Sequence, residues 1–174
     1  VNYIISLHGV WDKDGLIGIP RKIMRAFRKK LEITALKDAS AVIAVYEPIV
    51  RYAKKYGGKN VHLIYNVIAG DKISKKKDYE IKDRLRLITV NRQLKEKNPE
   101  NIIRAIKDID CYYLIVGDGE YHDYLIQVAR ECGCENKVEF SKGIPNSELC
   151  SMLKDFDMMV SHCDYWGMSK TIIE

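Results

Sequence analysis

The sequence lacks the features that mark several common protein classes. No apolar run approaches the roughly 18 residues that a membrane-spanning helix needs, and no signal-peptide pattern opens the chain. The five cysteines are odd in number and fall in predicted strands and helices, which favours reduced thiols over a disulfide framework. We therefore expect a cytoplasmic protein.

Three catalytic signatures are also missing. The sequence contains no G-x-S-x-G, no G-x-x-x-x-G-K-[ST] and no H-E-x-x-H pattern. Their absence removes the commonest hydrolase, nucleoside triphosphatase and zinc-protease mechanisms.

Candidate metal ligands are few. Cys132-Gly133-Cys134 has no second Cys or His pair at ligand spacing. Of the D-x-D triplets, Asp108/Asp110 and Asp155/Asp157 fall at predicted helix ends, on the edge away from a ligand, whereas Asp12/Asp14 lies in a loop on the ligand side and stays open as a Mg²⁺ or Mn²⁺ site.

The charge balance is modestly basic. The 29 basic and 24 acidic residues give a net charge of +5. This balance suits anionic small molecules, or a weak attraction to an anionic membrane surface, and does not call for nucleic acid.

Apolar runs alternate with amphipathic segments in two blocks. Strand, helix, strand, helix, strand fills residues 1–68, where Ile23, Phe27 and Leu31 recur at helical spacing. The polar, lysine-rich stretch 69–84 follows, and the alternation restarts as strands 85–90, 111–116, 138–140 and 158–160 with helices 99–109, 121–132 and 146–154. The pattern predicts an α/β protein of two Rossmann-like parallel-sheet domains, residues 1–68 and 85–174, joined by the linker 69–84.

Both ends of the sequence indicate a piece of a longer protein. The chain begins with Val1 instead of Met and stops at Glu174, directly after the apolar residues Thr171-Ile172-Ile173. We expect the N-terminal domain to lack its opening strands and the C-terminal domain its closing helices.

Two cations follow the strand 85–90. Arg92 and Lys97 lie in a loop at the predicted carboxyl edge of a parallel sheet, where open α/β folds bind ligands. Two cations there suit a phosphate or diphosphate. Taken alone, solvated surface charges are the more common explanation.

A glycine pair opens the next loop. Val116-Gly117-Asp118-Gly119 ends a strand and begins a helix, so its glycines could let a phosphate-bearing ligand approach the backbone. The dinucleotide fingerprint requires a third glycine where this chain has His122, and a nicotinamide-dependent oxidoreductase is therefore the weakest alternative.

Seven segments, in this order and spacing, resemble the retaining glycosyltransferases of family four (glycosyl transferases group 1), which have the GT-B fold. The resemblance covers nearly the whole chain. The segments are His8-Gly9, Ala39 to Val45, Ile64-Tyr65-Asn66-Val67, Val90-Asn91-Arg92 with Lys97, Ile115 to Gly119, Val138-Glu139-Phe140 with Gly143-Ile144-Pro145, and Gly167 to Glu174.

The resemblance implies an enzyme that binds a nucleotide sugar through its C-terminal domain and a saccharide or lipid-linked acceptor through its N-terminal domain. Arg92 and Lys97 match the pair that contacts the diphosphate, where their charge implies that no divalent metal or other cofactor is needed. His8 matches a histidine near the reacting sugar. The remaining donor-binding positions are Gly117, Gly119, Gly143, Ile144, Gly167, Met168, Ser169 and Glu174, the last matching the carboxylate that accepts from the ribose hydroxyls.

Two departures from the family pattern bear on activity. Trp166 stands where the first glutamate of the usual Glu-x7-Glu pair is expected, which leaves open a different donor, substitution by Asp164, or weakened activity. Asn91 replaces the usual glycine before the arginine. The first hypothesis is a hexosyltransferase, and the alternative is a non-catalytic nucleotide-sugar-binding module.

Overall fold

The computed structural model describes residues 2–9, 19–68, 70, 75–81, 83–162 and 169–173, with the backbone alone for residues 19–22 and 170. These residues form two compact units. The first contains residues 2–9 and 19–67 together with Ser169, and the second lies within residues 68–162 and 170–173.

The first unit is a three-stranded parallel sheet with two helices. Its strands are β1 (Ile4–Leu7), β2 (Ala41–Ala44) and β3 (Val61–Leu63), in the order β1-β2-β3. Helix α1 (Ile19–Asp38) connects β1 to β2, and α2 (Glu47–Lys55) connects β2 to β3. Connections of this length are what parallel neighbours require.

The core of the first unit lies between β2 and its helices. Val42 and Ala44 of β2 are fully buried, and they pack with Leu36 of α1 and with Ile49 and Ala53 of α2. α2 has a proline in its first turn, where no amide hydrogen bond is lost, and Gly57 follows its end with φ +90°.

The second unit is a four-stranded parallel sheet in the order β6-β5-β4-β7. The strands are β4 (Leu85–Val90), β5 (Cys111–Val116), β6 (Val138–Ser141) and β7 (Met158–Met159). The helices are α3 (Pro99–Ala105), α4 (His122–Glu131), α5 (Asn146–Met152) and α6 (Lys170–Ile173).

Both faces of this second sheet are covered, which explains why β4 and β5 are apolar along most of their length. On one face Leu87, Tyr113 and Ile115 pack with side chains of α3 and α4. On the other face Ile88, Leu114 and Val116 pack with Leu149 and Phe156. The predicted α/β class with parallel sheets is confirmed.

Four predicted elements end earlier than the sequence pattern suggested, among them helix 121–132, which stops at Glu131. Helix 99–109 stops at Ala105, helix 146–154 stops at Met152, and strand 158–160 pairs only over Met158–Met159. After α3 and α5 the chain tightens into a shorter-range turn before the next strand, as Ile109 N donates to Ile106 O and Phe156 N donates to Leu153 O. Apolar periodicity continues through such turns and cannot locate the helix end.

The described cysteines match the expectation of reduced thiols. Cys111, Cys132, Cys134 and Cys150 are free, and Cys163 lies outside the described residues. Burial raises the pKa of the Cys111 and Cys134 thiols. Within the described part of the chain, no helix has both the length and the apolar character needed to cross a bilayer.

Candidate functional site

The loops that follow β4, β5 and β6 are joined by backbone hydrogen bonds at the carboxyl edge of the second sheet. Asn91 N donates to Val116 O over 3.1 Å, and Gly117 N donates to Ser141 O over 2.9 Å. Beyond the strands, Gln93 N donates to Asp118 O over 3.0 Å. The three loops therefore form one continuous surface where open parallel sheets bind ligands.

Gln93 fixes the first of these loops to the second. Its side chain is completely buried, and its amide nitrogen donates to the carbonyl oxygen of Gly117. The amide oxygen, Oε1, lies 2.8 Å from Nδ1 of His122 and can only accept, so His122 carries a proton on Nδ1. With both amide groups bonded, the backbone on either side of Gln93 is held in place.

Arg92 and Lys97 lie on the loop between β4 and α3. Arg92 is exposed, and no ion pair or side-chain hydrogen bond connects it to another residue that the structure describes. Lys97 is half-buried, interacts with its surroundings, and ends the 3-10 turn Lys95–Lys97. Asn98 then adopts a left-handed conformation with φ 41°, which turns the chain into α3. The loop therefore presents the Arg92 guanidinium next to a residue, Gln93, that cannot move independently of the core.

Gly117 and Gly119 are needed for contact between the two loops. A Cβ on Gly117 would lie 2.1 Å from Asn91 O, and a Cβ on Gly119 would lie 2.1 Å from Gln93 O. Gly117 also has φ +131°, a conformation that residues with a side chain rarely adopt. The sequence suggested that these glycines make room for a phosphate. In the structure that space is filled by the backbone of the loop after β4.

The third loop contributes backbone groups. Asp118 Oδ2 accepts a hydrogen bond from Gly143 N over 3.3 Å, which joins the loops after β5 and β6. Gly143 is exposed, whereas the side chain of Ile144 packs against the core that contains Leu149 and Phe156. At this edge Ile144 can therefore contribute its backbone groups.

The loop after β7 is held to the same edge by a buried hydroxyl pair. Thr89 Oγ1 donates to Val160 O over 2.6 Å, so it must accept the hydrogen bond from the Tyr113 hydroxyl, 2.7 Å away. Burial raises the pKa of Tyr113 well above its usual range. Two residues further on, His162 Nδ1 accepts from Asn101 Nδ2 of α3 over 3.1 Å.

The remaining predicted site residues are distributed over both units. His8 follows β1 in the first unit, is exposed, and has its Nε2 atom 3.0 Å from Ser6 Oγ. Ser169 is exposed directly before α6. Other predicted or debated positions lie outside the described residues, namely Asp12, Asp14, Asp164, Trp166, Gly167, Met168 and Glu174.

The side chains that position this surface carry no distinctive sequence signal. By pattern alone, Gln93, Thr89 and Asp118 are ordinary loop or strand residues. Each is a polar residue within three positions of the end of an apolar strand, and that pattern is equally typical of solvent-facing residues. Their importance follows from burial and from partners more than 20 residues away, which periodicity cannot indicate.

A groove of about 330 Å³ lies beside β7. Lys75, Lys154 and Tyr79 line it together with Met159 and Ile172. None of the predicted donor-binding residues that the structure describes contributes to it. Among the described residues, no group of three or more His, Cys, Asp or Glu side chains is placed to hold a metal ion.

The family model described as "Glycosyl transferases group 1" matches residues 70–174, which include every described element of the second sheet. No curated protein sequence matches the chain.

Solved structures show the same fold over nearly the whole chain. Sucrose-phosphate synthase from Thermosynechococcus elongatus matches with a TM-score of 0.79 and 16% identity, covering 99% of this chain and 47% of its own. A TarM variant from S. aureus, in complex with fondaparinux, alpha-GlcNAc-glycerol and UDP, matches with a TM-score of 0.67 and 17% identity, covering 99% and 34%. The pneumococcal O-GlcNAc transferase GtfA, in complex with UDP and GlcNAc, matches with a TM-score of 0.67 and 14% identity, covering 99% and 35%.

At these identities the likeness concerns the fold. The two parallel α/β units correspond to the Rossmann-like domains of the GT-B architecture, as the sequence predicted. The chain spans less than half the length of each of these three proteins.

Proposed function

The chain belongs to the glycosyl transferases group 1 family, and from this membership we propose that it is part of a hexosyltransferase. The donor is a nucleoside diphosphate sugar, the acceptor is a saccharide or a lipid-linked saccharide, and the sugar is transferred with retention of configuration. UDP is the first nucleotide to test, because the TarM and GtfA structures are complexes with UDP.

One observation carries the proposal. The exposed Arg92 guanidinium stands on a loop that the fully buried Gln93 anchors at the carboxyl edge of the sheet. A cation whose backbone is fixed in advance loses little entropy when it meets an anion, and it costs no reorganisation during the reaction. Open α/β sheets bind nucleotide phosphates at this edge, so a diphosphate is the anion that suits the site.

The mechanism follows from the charge that develops on the leaving group. As the bond from the sugar to the diphosphate breaks, negative charge grows on the phosphate oxygens, and Arg92 with Lys97 would stabilise it. We therefore expect transfer without a divalent metal or another cofactor. Chelation with EDTA should leave the rate unchanged, and a rate that falls on chelation and returns with Mg²⁺ or Mn²⁺ would contradict this part of the proposal.

Other residues have roles that the family resemblance suggests. The backbones of Gly143 and Ile144 would lie along the base, and Glu174 would accept from the ribose hydroxyls. For Gly117 and Gly119 the proposed role comes from the structure instead: their close contacts with Asn91 O and Gln93 O would support the loop that carries the diphosphate-binding cation.

The donor sugar would be held by residues from both ends of the chain. Gly167, Met168 and Ser169 would meet the phosphate and the donor sugar, and His8 would lie near the reacting carbon.

The most direct test of transfer is the release of nucleoside diphosphate. UDP-, GDP- and ADP-hexoses are incubated with the protein and a mixture of saccharide acceptors, and free nucleotide and product are detected by mass spectrometry. For the donor that reacts, Arg92→Ala should slow turnover by roughly 10²–10³-fold, since it removes one fixed stabilising group. Arg130→Ala, an exposed arginine near the end of α4, is the matched control and should change little. The anomeric proton in the product's NMR spectrum reports whether configuration is retained.

Trp166 favours a second candidate function. It occupies the position where the family pattern has the first glutamate of the pair, which normally faces the donor sugar. A nucleotide-sugar-binding module without catalysis would bind one donor and release no nucleotide with any acceptor. Nucleotide release separates the two candidates.

We propose a cytoplasmic location, with weak association to a membrane surface. The net charge of +5 favours an anionic surface, and the amino-acid pattern does not call for nucleic acid as a partner. A lipid-linked acceptor would be found at such a surface.

A further inference from the structure

The groove beside β7 is built entirely from the second unit. Its lining comes from the segment 75–79 before β4, from β7 and the turn that precedes it, and from α6, with Ile88 of β4. The volume of about 330 Å³ lies at the small end of the roughly 300–1,000 Å³ that ligand pockets occupy. The groove is therefore large enough for one small ligand.

One wall of the groove is attached to the sheet through Lys76. The Lys76 ammonium donates to Asp157 Oδ1 over 2.6 Å and to Phe156 O over 3.0 Å. Asp157 Oδ2 accepts a further hydrogen bond from Arg86 N over 2.8 Å. These bonds hold the segment 75–79 beside the start of β7. They also pair the Asp157 carboxylate, which lines the groove, with a cation.

Much of the groove lining is apolar. Ile88 and Phe156 belong to the buried core of the sheet and line the groove. Three further large side chains in the lining are mostly exposed, namely Tyr79 at 76%, Ile172 at 66% and Met158 at 54%. A single exposed apolar side chain is ordinary, but three that line one groove form a patch that a ligand with an apolar body would cover.

Two lysines add positive charge to the groove. Lys75 and Lys154 are part of its lining and are exposed. Neither forms an ion pair or a side-chain hydrogen bond with another residue that the structure describes. Since Lys76 and Asp157 neutralise each other, the described lining has two available positive charges and no available negative charge.

We propose that this groove binds an amphiphilic carboxylate, with its alkyl chain on the apolar side chains and its carboxylate at Lys75 and Lys154. Burial of the exposed parts of Tyr79, Met158 and Ile172 supplies affinity without directional preference. The two ammonium groups favour an anionic head group over a neutral or cationic one. The inference goes beyond the proposed sugar transfer and does not depend on it, because none of the described donor-binding residues lines the groove.

Calorimetric titration with three ligands that share one alkyl chain tests the proposal. Octanoate, octan-1-ol and octyltrimethylammonium are each added at low salt, below the concentration at which they form micelles. We expect octanoate to bind, and octan-1-ol to bind at least about fivefold more weakly because it lacks the charge that both lysines attract. Octyltrimethylammonium should bind more weakly than either. Acetate, which has the carboxylate without the chain, should give no measurable binding.

Substitutions in the groove separate the two parts of the interaction. Lys75→Gln and Lys154→Gln should each weaken octanoate binding by roughly two- to fivefold and leave octan-1-ol binding unchanged. Ile172→Ser should weaken the binding of both ligands by roughly fivefold, because it removes apolar surface that the alkyl chain covers.

Matched substitutions outside the groove serve as controls. Ile81→Ser removes another isoleucine of the second unit, 57% exposed, and Lys107→Gln removes another exposed lysine of that unit. Both variants should bind octanoate within twofold of the parent. Thermal unfolding should show that all five variants remain folded, as expected for substitutions at exposed positions.

The proposal is overturned if the folded parent binds no octanoate, if octan-1-ol binds as tightly as octanoate, or if the control variants lose as much binding as the groove variants. Saturating UDP should leave the affinity for octanoate unchanged. Competition between UDP and octanoate would place octanoate in the nucleotide site, and this result would also overturn the proposal. Octanoate binding by a protein that binds no nucleotide would contradict the proposed function and support the groove as a separate site.

Discussion

His122 Nδ1 lies 2.8 Å from Gln93 Oε1, and this hydrogen bond connects the first turn of α4 to the loop that carries Arg92. Because Gln93 Nε2 also donates to Gly117 O, one buried side chain joins three points of the carboxyl edge. The position of the exposed cation therefore depends on a residue that no ligand needs to touch.

Replacing Gln93 should weaken both stability and ligand binding. Gln93→Leu keeps a similar volume but leaves Gly117 O and His122 Nδ1 without their partners, which should cost about 2–4 kcal/mol in the free energy of unfolding. Urea denaturation measures this difference. Gln127→Leu is the control. Because Gln127 is exposed, this substitution should lower the free energy of unfolding by less than about 0.5 kcal/mol. Equal losses in the two variants would show that the buried amide does not hold the loops.

A methyl group at Gly119 should disrupt the contact between the loops after β4 and β5. In Gly119→Ala the new Cβ would lie 2.1 Å from Gln93 O and 2.9 Å from Gln93 N, so one of the loops must shift. We expect a loss of about 3 kcal/mol or more in the free energy of unfolding. At Gly70 a Cβ would meet no described atom within 4 Å, and Gly70→Ala is therefore the matched substitution that should be nearly neutral. A Gly119→Ala protein as stable as the Gly70→Ala protein would contradict the observed loop contact.

The buried pair of Thr89 and Tyr113 should show unequal substitution costs. Tyr113→Phe removes only the donor to Thr89 Oγ1, and about 1 kcal/mol should be lost. Thr89→Val leaves both the Tyr113 hydroxyl and Val160 O without a partner, and about 2–3 kcal/mol should be lost. The double variant should cost less than the sum of the single variants, since the orphaned hydroxyl is then gone. Strict additivity in a thermal-unfolding cycle would argue against the hydrogen bond.

Asp157 should make stability dependent on pH in the acid range. The Lys76 ammonium, 2.6 Å from Oδ1, and the Arg86 amide, 2.8 Å from Oδ2, lower the pKa of this carboxyl. A carboxyl with a depressed pKa in the folded state stabilises the protein above its unfolded pKa, and this contribution is lost as the pH falls through the folded value.

The Asp157→Asn variant should therefore be less stable than the parent by about 1–2 kcal/mol at pH 7, and this difference should shrink as the pH falls below about 5. Asp108→Asn changes an exposed carboxyl and serves as the comparison. A difference between Asp157→Asn and the parent that stays constant over this pH range would rule out the proposed linkage.

Apolar patterning predicted most of the second sheet correctly. β4 and β5 have the predicted limits, because continuous apolar runs bounded by polar residues are typical of strands buried on both faces. The ends of α3 and α5 were predicted too far along the chain, since the turns that follow them keep apolar residues such as Ile106 and Phe156 for the core.

The reasons behind the site residues were harder to predict. The sequence identified Gly117 and Gly119 as candidate site residues. The reason why glycine is required at these positions is the close approach of Asn91 O and Gln93 O, which only the three-dimensional arrangement shows. The helical spacing of Ile23, Phe27 and Leu31 predicted an amphipathic helix. Periodicity alone could not show that this apolar side is exposed, because it does not indicate which face of the helix meets the rest of the unit.

The central claim is that Arg92 presents a fixed cation to a nucleoside diphosphate at the carboxyl edge of the second sheet. Calorimetric titration of the protein with UDP, GDP and ADP tests it most directly, with Arg92→Ala compared to Arg130→Ala. We predict that one nucleotide binds, that Arg92→Ala weakens its affinity by roughly tenfold or more, and that Arg130→Ala does not. Binding of no nucleotide by the folded protein, or equal affinity of the parent and Arg92→Ala, would contradict the claim.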